Sequence, residues 1–202
     1  MLQSSELYKK EMDAGRYKNY IETSAGRRFY FAEPKFDIHE IAAALSKQCR
    51  FMGHTDRFYS VAEHCVLVAD LMDYFELGDP LEGLLHDAHE AYCVDIASPL
   101  KVEIPAYKTF ETILEASMRK TFNLPDKITD GCKTADWVAL FVEANFMIPS
   151  KGADWLAPDG IRELADKYIR KIQMHSIDMG WPWQAAHTLF MEEYNARIQK
   201  QA

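Results

Sequence analysis

Two histidines and two aspartates in this chain are placed so that together they could bind a divalent metal ion. His86 and Asp87 are adjacent in the run GLLHDAHEAY, His64 lies upstream in SVAEH, and Asp136 lies downstream in KTADW. Imidazole nitrogens and carboxylate oxygens suit one divalent transition metal ion such as Zn²⁺, Co²⁺, Mn²⁺, Fe²⁺ or Ni²⁺, with Mg²⁺ as a further candidate. Such an ion activates water and neutralises phosphate oxygens, so these residues point to hydrolysis.

The segments that carry these residues are predicted to be helices, and the fold class is predicted to be all-α, a bundle of six to eight helices. Apolar side chains repeat at intervals of three and four residues through most of the chain. Ser60 and Glu63 predict a capping box at the start of the helix that carries His64. Further helices are predicted over 81–93 and about 126–146, which would place the four residues on or beside buried faces.

The N-terminal region is less regular. Residues 1–25 are polar and lack a clear period, so we expect an arm, followed by a single helical domain over residues 26–202. The aromatic run 27–32 predicts a short strand or hairpin edge. Residues 96–99 are predicted to form a loop, and residues 149–158 a turn-rich linker.

Composition narrows the class of protein. Hydrophobic residues make up 48% and charged residues 27%, which is ordinary for a soluble domain. The net charge of −8 argues against binding of polymeric nucleic acid, which rewards clustered cations. No apolar stretch reaches the roughly 18 residues of a membrane span, so we expect no membrane association. The four cysteines form no Cys-x-x-Cys pair, which favours free thiols in the cytoplasm (the host cytoplasm for a viral protein).

The metal interpretation has a simpler alternative for each residue taken alone, because a lone histidine on an apolar helix face is more often a packed core residue. The two aspartates are harder to explain without a cation, since an unpaired buried carboxylate costs several kcal/mol. No Lys or Arg lies one helical turn from Asp87. Lys133 lies three residues before Asp136, so an ordinary ion pair stays open there.

The same segments resemble the HD-domain metal-dependent phosphohydrolases. The resemblance rests on Arg50-Phe51 and on the runs FYSVAEH (58–64), HDAHE (86–90) and DIASPLK (95–101). These are similar to the bacterial 5′-deoxynucleotidases and equally to the viral dATP triphosphohydrolases, so the chain's origin is left open between bacterial and viral. The similarity covers about residues 36–147. It implies metal ligation by His64, His86, Asp87 and Asp136.

The resemblance also implies roles around the metal. Glu90 matches a catalytic glutamate that works on water or on the leaving group, and Asp95 matches an aspartate that lies beside the sugar. Arg50 matches an arginine that holds phosphate, and Phe51 stands where the family often has a tryptophan against which the nucleoside packs. The alternatives are a surface charge for Glu90, a turn cap for Asp95 and a solvated cation for Arg50.

Three more residues are candidates for substrate binding. His54, Arg57 and Lys101 lie close in sequence to the matched segments and could contact phosphate. A loop-stabilising hydrogen bond is an equal alternative for His54, and Arg57 could be a solvated cation.

The expected function is hydrolysis of a 5′-(deoxy)nucleotide, a small molecule, at the phosphorus next to the 5′ oxygen. Removal of one phosphate from a dNMP and release of triphosphate from a dNTP such as dATP would use the same residues. The cationic side chains Arg27, Arg28, His54, Arg57 and Lys101 slightly favour the triphosphate. The alternatives are hydrolysis of a ppGpp-type signalling nucleotide and a catalytically silent nucleotide-binding module. We also expect a homo-oligomer, since relatives of this branch assemble.

Overall fold

The computed structural model describes residues 20–201, and within that range it is almost entirely helical. The predicted all-α class is confirmed. The two strands are β1 (Tyr20–Glu22) and β2 (Arg28–Tyr30), and a 3₁₀ turn covers Arg50–Gly53. The helices are α1 (Ile38–Leu45), α2 (Val61–Tyr74), α3 (Pro80–Leu85), α4 (Glu90–Cys93), α5 (Ser98–Glu103), α6 (Pro105–Thr121), α7 (Asp130–Met147), α8 (Ile161–His175) and α9 (Trp183–Gln201).

The predicted strand is one arm of a hairpin. β1 and β2 pair antiparallel, with Tyr20 opposite Tyr30, and Phe29 of β2 is buried in the core. The predicted boundary between arm and domain after residue 25 therefore falls inside the turn of this hairpin. Residues 1–19 of the predicted arm lie outside the described residues.

Only half of the predicted capping box forms at the start of α2. The Ser60 hydroxyl accepts a hydrogen bond from the Glu63 N–H at 3.1 Å, as expected. The Glu63 carboxylate does not return to Ser60. It is buried and accepts the N–H groups of Gly180 and Trp181, at 2.7 and 2.8 Å. Glu63 therefore connects the loop before α9 to α2, because its side chain accepts hydrogen bonds from two backbone N–H groups of that loop. A sequence motif cannot reveal these donors, since they lie far from Glu63 in sequence.

The single helix predicted over 81–93 is wrong, because α3 ends at Leu85 and α4 begins at Glu90. Between them the backbone tightens to bonds three residues apart, such as Ala88 N–H to Leu85 O at 3.0 Å. His86 Nδ1 lies 2.7 Å from the Gly83 carbonyl oxygen, which a regular helix would offer to the next residue's N–H. The loop predicted over 96–99 is also shorter, since α5 starts at Ser98.

Helix α2 lies at the centre of the molecule. Its residues belong to two apolar clusters: the first also contains residues of β2, α1, α3, α4, α6 and α9, and the second contains residues of α7 and α8. Cys65 and Ala69 belong to the first apolar cluster, whereas Val68 and Leu71 belong to the second. Within residues 20–201, no helix has the length and apolar character that would carry it across a membrane.

The start of α7 is fixed against α3 by Glu82. The buried Glu82 carboxylate accepts the Thr129 N–H at 3.0 Å and the Thr129 hydroxyl at 2.6 Å, while Thr129 caps the Cys132 N–H. Gly131 lets α7 approach this closely, since a Cβ there would lie 1.8 Å from the Leu77 carbonyl oxygen. These contacts set the position of the helix that carries Asp136 relative to the turn that carries His86.

Glu82 also neutralises a buried guanidinium from α6. Arg119 Nη2 lies 2.5 Å from Glu82 Oε1, and both side chains are at most 2% exposed. A second carboxylate, Glu115, lies 3.7 Å from Arg119 Nη1 but is 30% exposed. A buried pair cannot lose one partner cheaply, whereas a partly exposed contact is screened by water.

We expect Glu82→Ala to lower the free energy of unfolding by about 3–5 kcal/mol, because it removes the buried partner of the Arg119 charge and leaves the partly exposed Glu115 at 3.7 Å. Glu115→Ala is the matched control and should cost less than about 1 kcal/mol. Urea denaturation followed by circular dichroism measures both. Equal losses in the two variants would contradict this view of how α3 and α7 are held together.

Candidate metal centre

The four side chains singled out in the sequence converge in the structure. Nε2 of His64 lies 3.2 Å from Nε2 of His86, 3.5 Å from Oδ2 of Asp87 and 3.3 Å from Oδ1 of Asp136. Nε2 of His86 lies 3.1 Å from Asp87 Oδ2 and 3.8 Å from Asp136 Oδ1. Residues from α2, from the turn after α3 and from α7 thus present four potential ligand atoms to one small volume.

Both imidazoles are oriented by their other ring nitrogen. His86 Nδ1 lies 2.7 Å from the Gly83 carbonyl oxygen, so this nitrogen must carry the proton and donate. His64 Nδ1 lies 2.5 Å from Oε1 of Glu143 and is held in the same way. When Nδ1 donates, Nε2 is the nitrogen with a lone pair for a metal, and partners of this kind commonly orient metal-binding histidines.

Glu143 is a functional candidate that the sequence analysis missed. It is fully buried on α7, two turns after Asp136, and it also accepts the Tyr59 hydroxyl at 3.1 Å and Arg50 Nη2 at 3.2 Å. The signal was present as an acidic residue within the apolar run FVEANF, seven residues beyond a candidate ligand on the same helix face. Its role depends on His64 and Arg50, which lie far away in sequence.

Negative charge predominates in this volume. The carboxylates of Asp87, Asp136 and Glu143 surround the two imidazoles, and Arg50 is the permanent cation that contacts this group. Burial opposes charge on every member, but the opposite charges outweigh it, so the pKa values of the three carboxyls lie below their usual range. For the imidazoles, burial lowers the pKa but the nearby carboxylates raise it by more. The pKa of His64 is therefore well above its usual value, and that of His86 is also raised.

This donor set fits a divalent cation. Without one, the carboxylates are balanced by protons on the imidazoles; with one, those protons leave and the ion takes over the positive charge. Access is available, since Asp136 is 42% exposed while the His64 side chain is completely buried. The ion pair left open for Asp136 is absent among the described residues, because Lys133 pairs with Asp130 at 3.1 Å.

Arg50 lies at the edge of the candidate centre. Its Nη1 is 3.8 Å from Asp87 Oδ2 and 3.7 Å from Asp95 Oδ2, and its side chain is 12% exposed. Its Nε is buried and has no hydrogen-bond partner in the described part of the chain. The solvated-cation alternative for Arg50 is therefore wrong.

Glu90 is buried, so the alternative of a surface helix charge is wrong. Its Oε1 lies 3.2 Å from Lys101 Nζ, and Lys101 also contacts Glu111 Oε1 at 2.6 Å. Its Oε2 is buried and has no hydrogen-bond partner among the described residues. Burial, and then the nearby charges of Asp87 and Asp95, raise the pKa of Glu90 well above its usual value, while Lys101 and Arg50 lower it.

Asp95 faces Arg50 and caps no helix. Its N–H donates to Gln48 Oε1 at 3.3 Å, and α5 begins after Ala97 without a side-chain cap, so the capping alternative is wrong. Burial raises the pKa of Asp95, and the charge of Asp87 raises it further, while Arg50 lowers it. Gln48 also donates to the Glu90 carbonyl oxygen at 3.1 Å and so holds both acidic segments together.

The predicted substrate-binding residues occupy different places. Phe51 follows Arg50, whose Cζ lies 5.5 Å from the Phe51 ring centre. His54 is exposed at the end of the 3₁₀ turn, where its backbone N–H donates to Phe51 O at 2.9 Å. Arg57 turns towards the loop before α9 and lies 3.5 Å from Asp178.

The cations that favoured a triphosphate are largely engaged with other side chains. Arg27 makes a two-bond contact with the buried Glu40, at 2.7 Å for each bond. Arg28 lies over the Tyr20 ring, and Lys101 is held between Glu90 and Glu111. Counting charges along the sequence therefore overestimated the positive charge that is free to bind phosphates.

Two relatives place the chain among known sequences. YfdR of Escherichia coli strain K12, described as an uncharacterized protein, is 39% identical over 146 residues, which cover 71% of this chain and 80% of YfdR. RCAP_rcc00048 of Rhodobacter capsulatus, with the same description, is 34% identical over 137 residues, or 59% of this chain and 68% of that protein. No protein-family model matches the chain.

We expect metal binding to weaken as the pH falls. The raised pKa values of His64 and His86 mean that a proton competes with the ion, so affinity rises with pH until both imidazoles are neutral. Co²⁺ titrations between about pH 6 and 9, in buffers of different ionisation enthalpy, measure the affinity and the proton release. The exposed His39→Asn is the control, and affinity that does not change with pH would argue against imidazole ligation.

We expect Glu143→Gln to weaken metal binding by about 10- to 100-fold, because the amide orients His64 less firmly and removes a negative charge. Asp130→Asn, on the exposed surface of the same helix, should leave the affinity unchanged. Competition with a chromogenic chelator gives both constants. Unchanged affinity in Glu143→Gln would show that this carboxylate serves only Arg50 and Tyr59.

Proposed function

We propose that this chain, which belongs to the same protein family as Escherichia coli YfdR, is a metal-dependent phosphohydrolase of HD type that acts on 5′-deoxynucleotides. The bond to be hydrolysed is the one at the phosphorus next to the 5′ oxygen. The 39% identity to YfdR shows that the two chains belong to one family. The proposed HD type and activity rest on the residues of the site.

The convergence of His64, His86, Asp87 and Asp136 carries this proposal. Each imidazole has Nδ1 occupied by a protein acceptor, and both Nε2 atoms face the two aspartates. A divalent ion held by these four residues would supply a water of lowered pKa and positive charge for phosphate oxygens. The exposure of Asp136 gives substrate a way in, while the buried side of the site excludes water.

Arg50 and Glu90 are proposed to act on the phosphate from two sides. The planar guanidinium of Arg50 has its Nη1 3.8 Å from Asp87 Oδ2, beside the proposed metal ion, so it is proposed to hold phosphate oxygens. Burial and neighbouring negative charge raise the pKa of Glu90, which favours its protonated form, so Glu90 is proposed to donate that proton to the departing 5′ oxygen. Asp95 Oδ2 lies 3.7 Å from Arg50 Nη1, and Asp95 is proposed to face the sugar.

The number of phosphates on the proposed substrate is inferred from the cationic side chains that are not paired with carboxylates. Arg27 and Lys101 are already neutralised by carboxylates, and Arg57 faces Asp178. Arg50 also contacts carboxylates, but it lies beside the proposed metal ion, whose charge would offset theirs. Arg50 is then the main cation for a phosphate, so we now favour the dNMP over the dNTP that the sequence slightly favoured. The triphosphate stays the second candidate because His54 is exposed next to the Phe51 turn.

Oligomer formation is proposed separately. A group of apolar side chains on and around α5 and α6 is exposed, which is unusual for a monomer surface and suits contact with a second copy. The group comprises Val94, Leu100, Val102, Ile104, Phe110 and Ile113. Light scattering at several concentrations decides between a monomer and an assembly.

A screen of the purified protein against dNMPs, dNTPs and a ppGpp-type nucleotide, with Co²⁺, Mn²⁺, Zn²⁺ and Mg²⁺ in turn, tests the function. We expect release of phosphate and a deoxynucleoside from dNMPs. Triphosphate release from dNTPs would select the second candidate, and activity confined to ppGpp would select a signalling hydrolase. Nucleotide binding without turnover would indicate a silent module.

Two variants test the assignments within the site. Asp87→Ala should lose bound metal and activity together, because a ligand is removed. Glu90→Gln should keep the metal but lower kcat by about 10²- to 10⁴-fold, since its proton is no longer available. Glu103→Gln, exposed on α5, is the matched control. Full activity in Glu90→Gln would contradict the proposed proton donor.

A further inference from the structure

We propose that Trp155, together with Phe51, forms the surface against which the nucleobase stacks, and that Arg162 positions Trp155 for this purpose. This inference rests on the proposed function, because it names the part of the substrate that these residues contact. The ligand is identified by its chemistry, a flat aromatic heterocycle joined to a 5′-phosphate.

The first observation is the position of Phe51. Arg50 connects Phe51 to the candidate centre, since its guanidinium lies 3.8 Å from Asp87 and 5.5 Å from the Phe51 ring centre. Phe51 and Met52 both have positive φ, at 54° and 53°, a conformation that costs such side chains energy. The Arg50 N–H to Tyr59 O bond at 2.9 Å helps to hold the turn in place. The strained turn therefore keeps one aromatic ring beside the proposed phosphate-binding cation.

The second observation is that Trp155 comes to the same place from a distant loop. The centres of the Trp155 and Phe51 rings are 6.2 Å apart with a tilt of 31°, and both side chains are only partly buried. The centre of the Trp155 ring also lies 6.3 Å from that of Phe141, which is buried in the core. Two partly exposed rings at this angle form an apolar surface next to a charged site.

The third observation is a clamp on the loop that carries Trp155. Arg162 Nη2 lies 3.0, 3.3 and 2.5 Å from the carbonyl oxygens of Gly152, Ala153 and Trp155. Its guanidinium also lies over the Phe141 ring at 4.4 Å. Gly152 has φ +66°, and a Cβ there would come within 3.0 Å of the Trp155 ring. The loop is thus built around the indole and held by an exposed arginine through its carbonyl oxygens.

Core packing alone accounts less well for this arrangement. A tryptophan that served only the core would not need to leave part of its ring exposed beside Phe51, nor a loop fixed through three carbonyl oxygens. A nucleobase would cover the exposed part of the Trp155 ring. Any base can stack on an aromatic side chain, and such stacking contributes measurable affinity. The phosphate end of the same molecule would then reach Arg50.

The test uses the full chain and compares ligands with and without a base. Trp155→Leu should weaken binding of deoxyadenosine, measured by calorimetry, by about 5- to 100-fold. It should lower kcat/KM for dAMP through KM, while kcat/KM for 2-deoxyribose 5-phosphate stays within about twofold. Trp155→Phe, which keeps a ring, should restore most of the loss. Trp183→Ala, an exposed tryptophan at the start of α9, is the matched control.

Arg162→Met tests the positioning role and does not remove a core ring, so it remains informative if Trp155→Leu is poorly folded. It should weaken deoxyadenosine binding less than Trp155→Leu does and leave 2-deoxyribose 5-phosphate unaffected. Equal effects on ligands with and without a base, or none, would overturn the inference, as would a wild-type protein that does not bind deoxyadenosine. If deoxyadenosine binds through Trp155 but no nucleotide is hydrolysed, the proposed function fails and the stacking surface stands.

Discussion

The interaction on which the arrangement depends is the attraction between two buried imidazoles and the carboxylates around them. Asp87, Asp136 and Glu143 come from two separate elements, and within residues 20–201 the guanidinium that contacts them is that of Arg50. Such a concentration of negative charge is unfavourable without cations. The fold provides for it by placing α2 between two apolar clusters, so that His64 sits where the turn after α3 and helix α7 meet.

Features that depend on local sequence could be predicted. The all-α class, the Ser60 cap and the four converging residues follow from periodicity, motif and resemblance, and the structure reproduces them in outline. Features set by distant partners could not. Glu143 acquires its role only next to His64, and Glu63, expected to complete a capping box, instead accepts the Gly180 and Trp181 N–H groups from a loop more than 100 residues away.

The predicted helix over 81–93 shows a conflict between local propensity and geometry. Neighbouring side chains on a regular α-helix point about 100° apart, which separates consecutive ligands. The tightened turn brings His86 Nε2 and Asp87 Oδ2 within 3.1 Å of each other. Counting cations along the sequence likewise cannot show which of them are paired, since Arg27, for example, contacts the Glu40 carboxylate.

The uneven exposure of the centre has a kinetic consequence. His64 is sealed in the interior, whereas the Asp136 side chain is 42% open to solvent. An ion held there would be loaded and withdrawn from the Asp136 side of an already folded chain, without global unfolding. Chelators would then strip the protein at a rate set by ligand exchange at one carboxylate, and the stripped protein could be reloaded with a different metal.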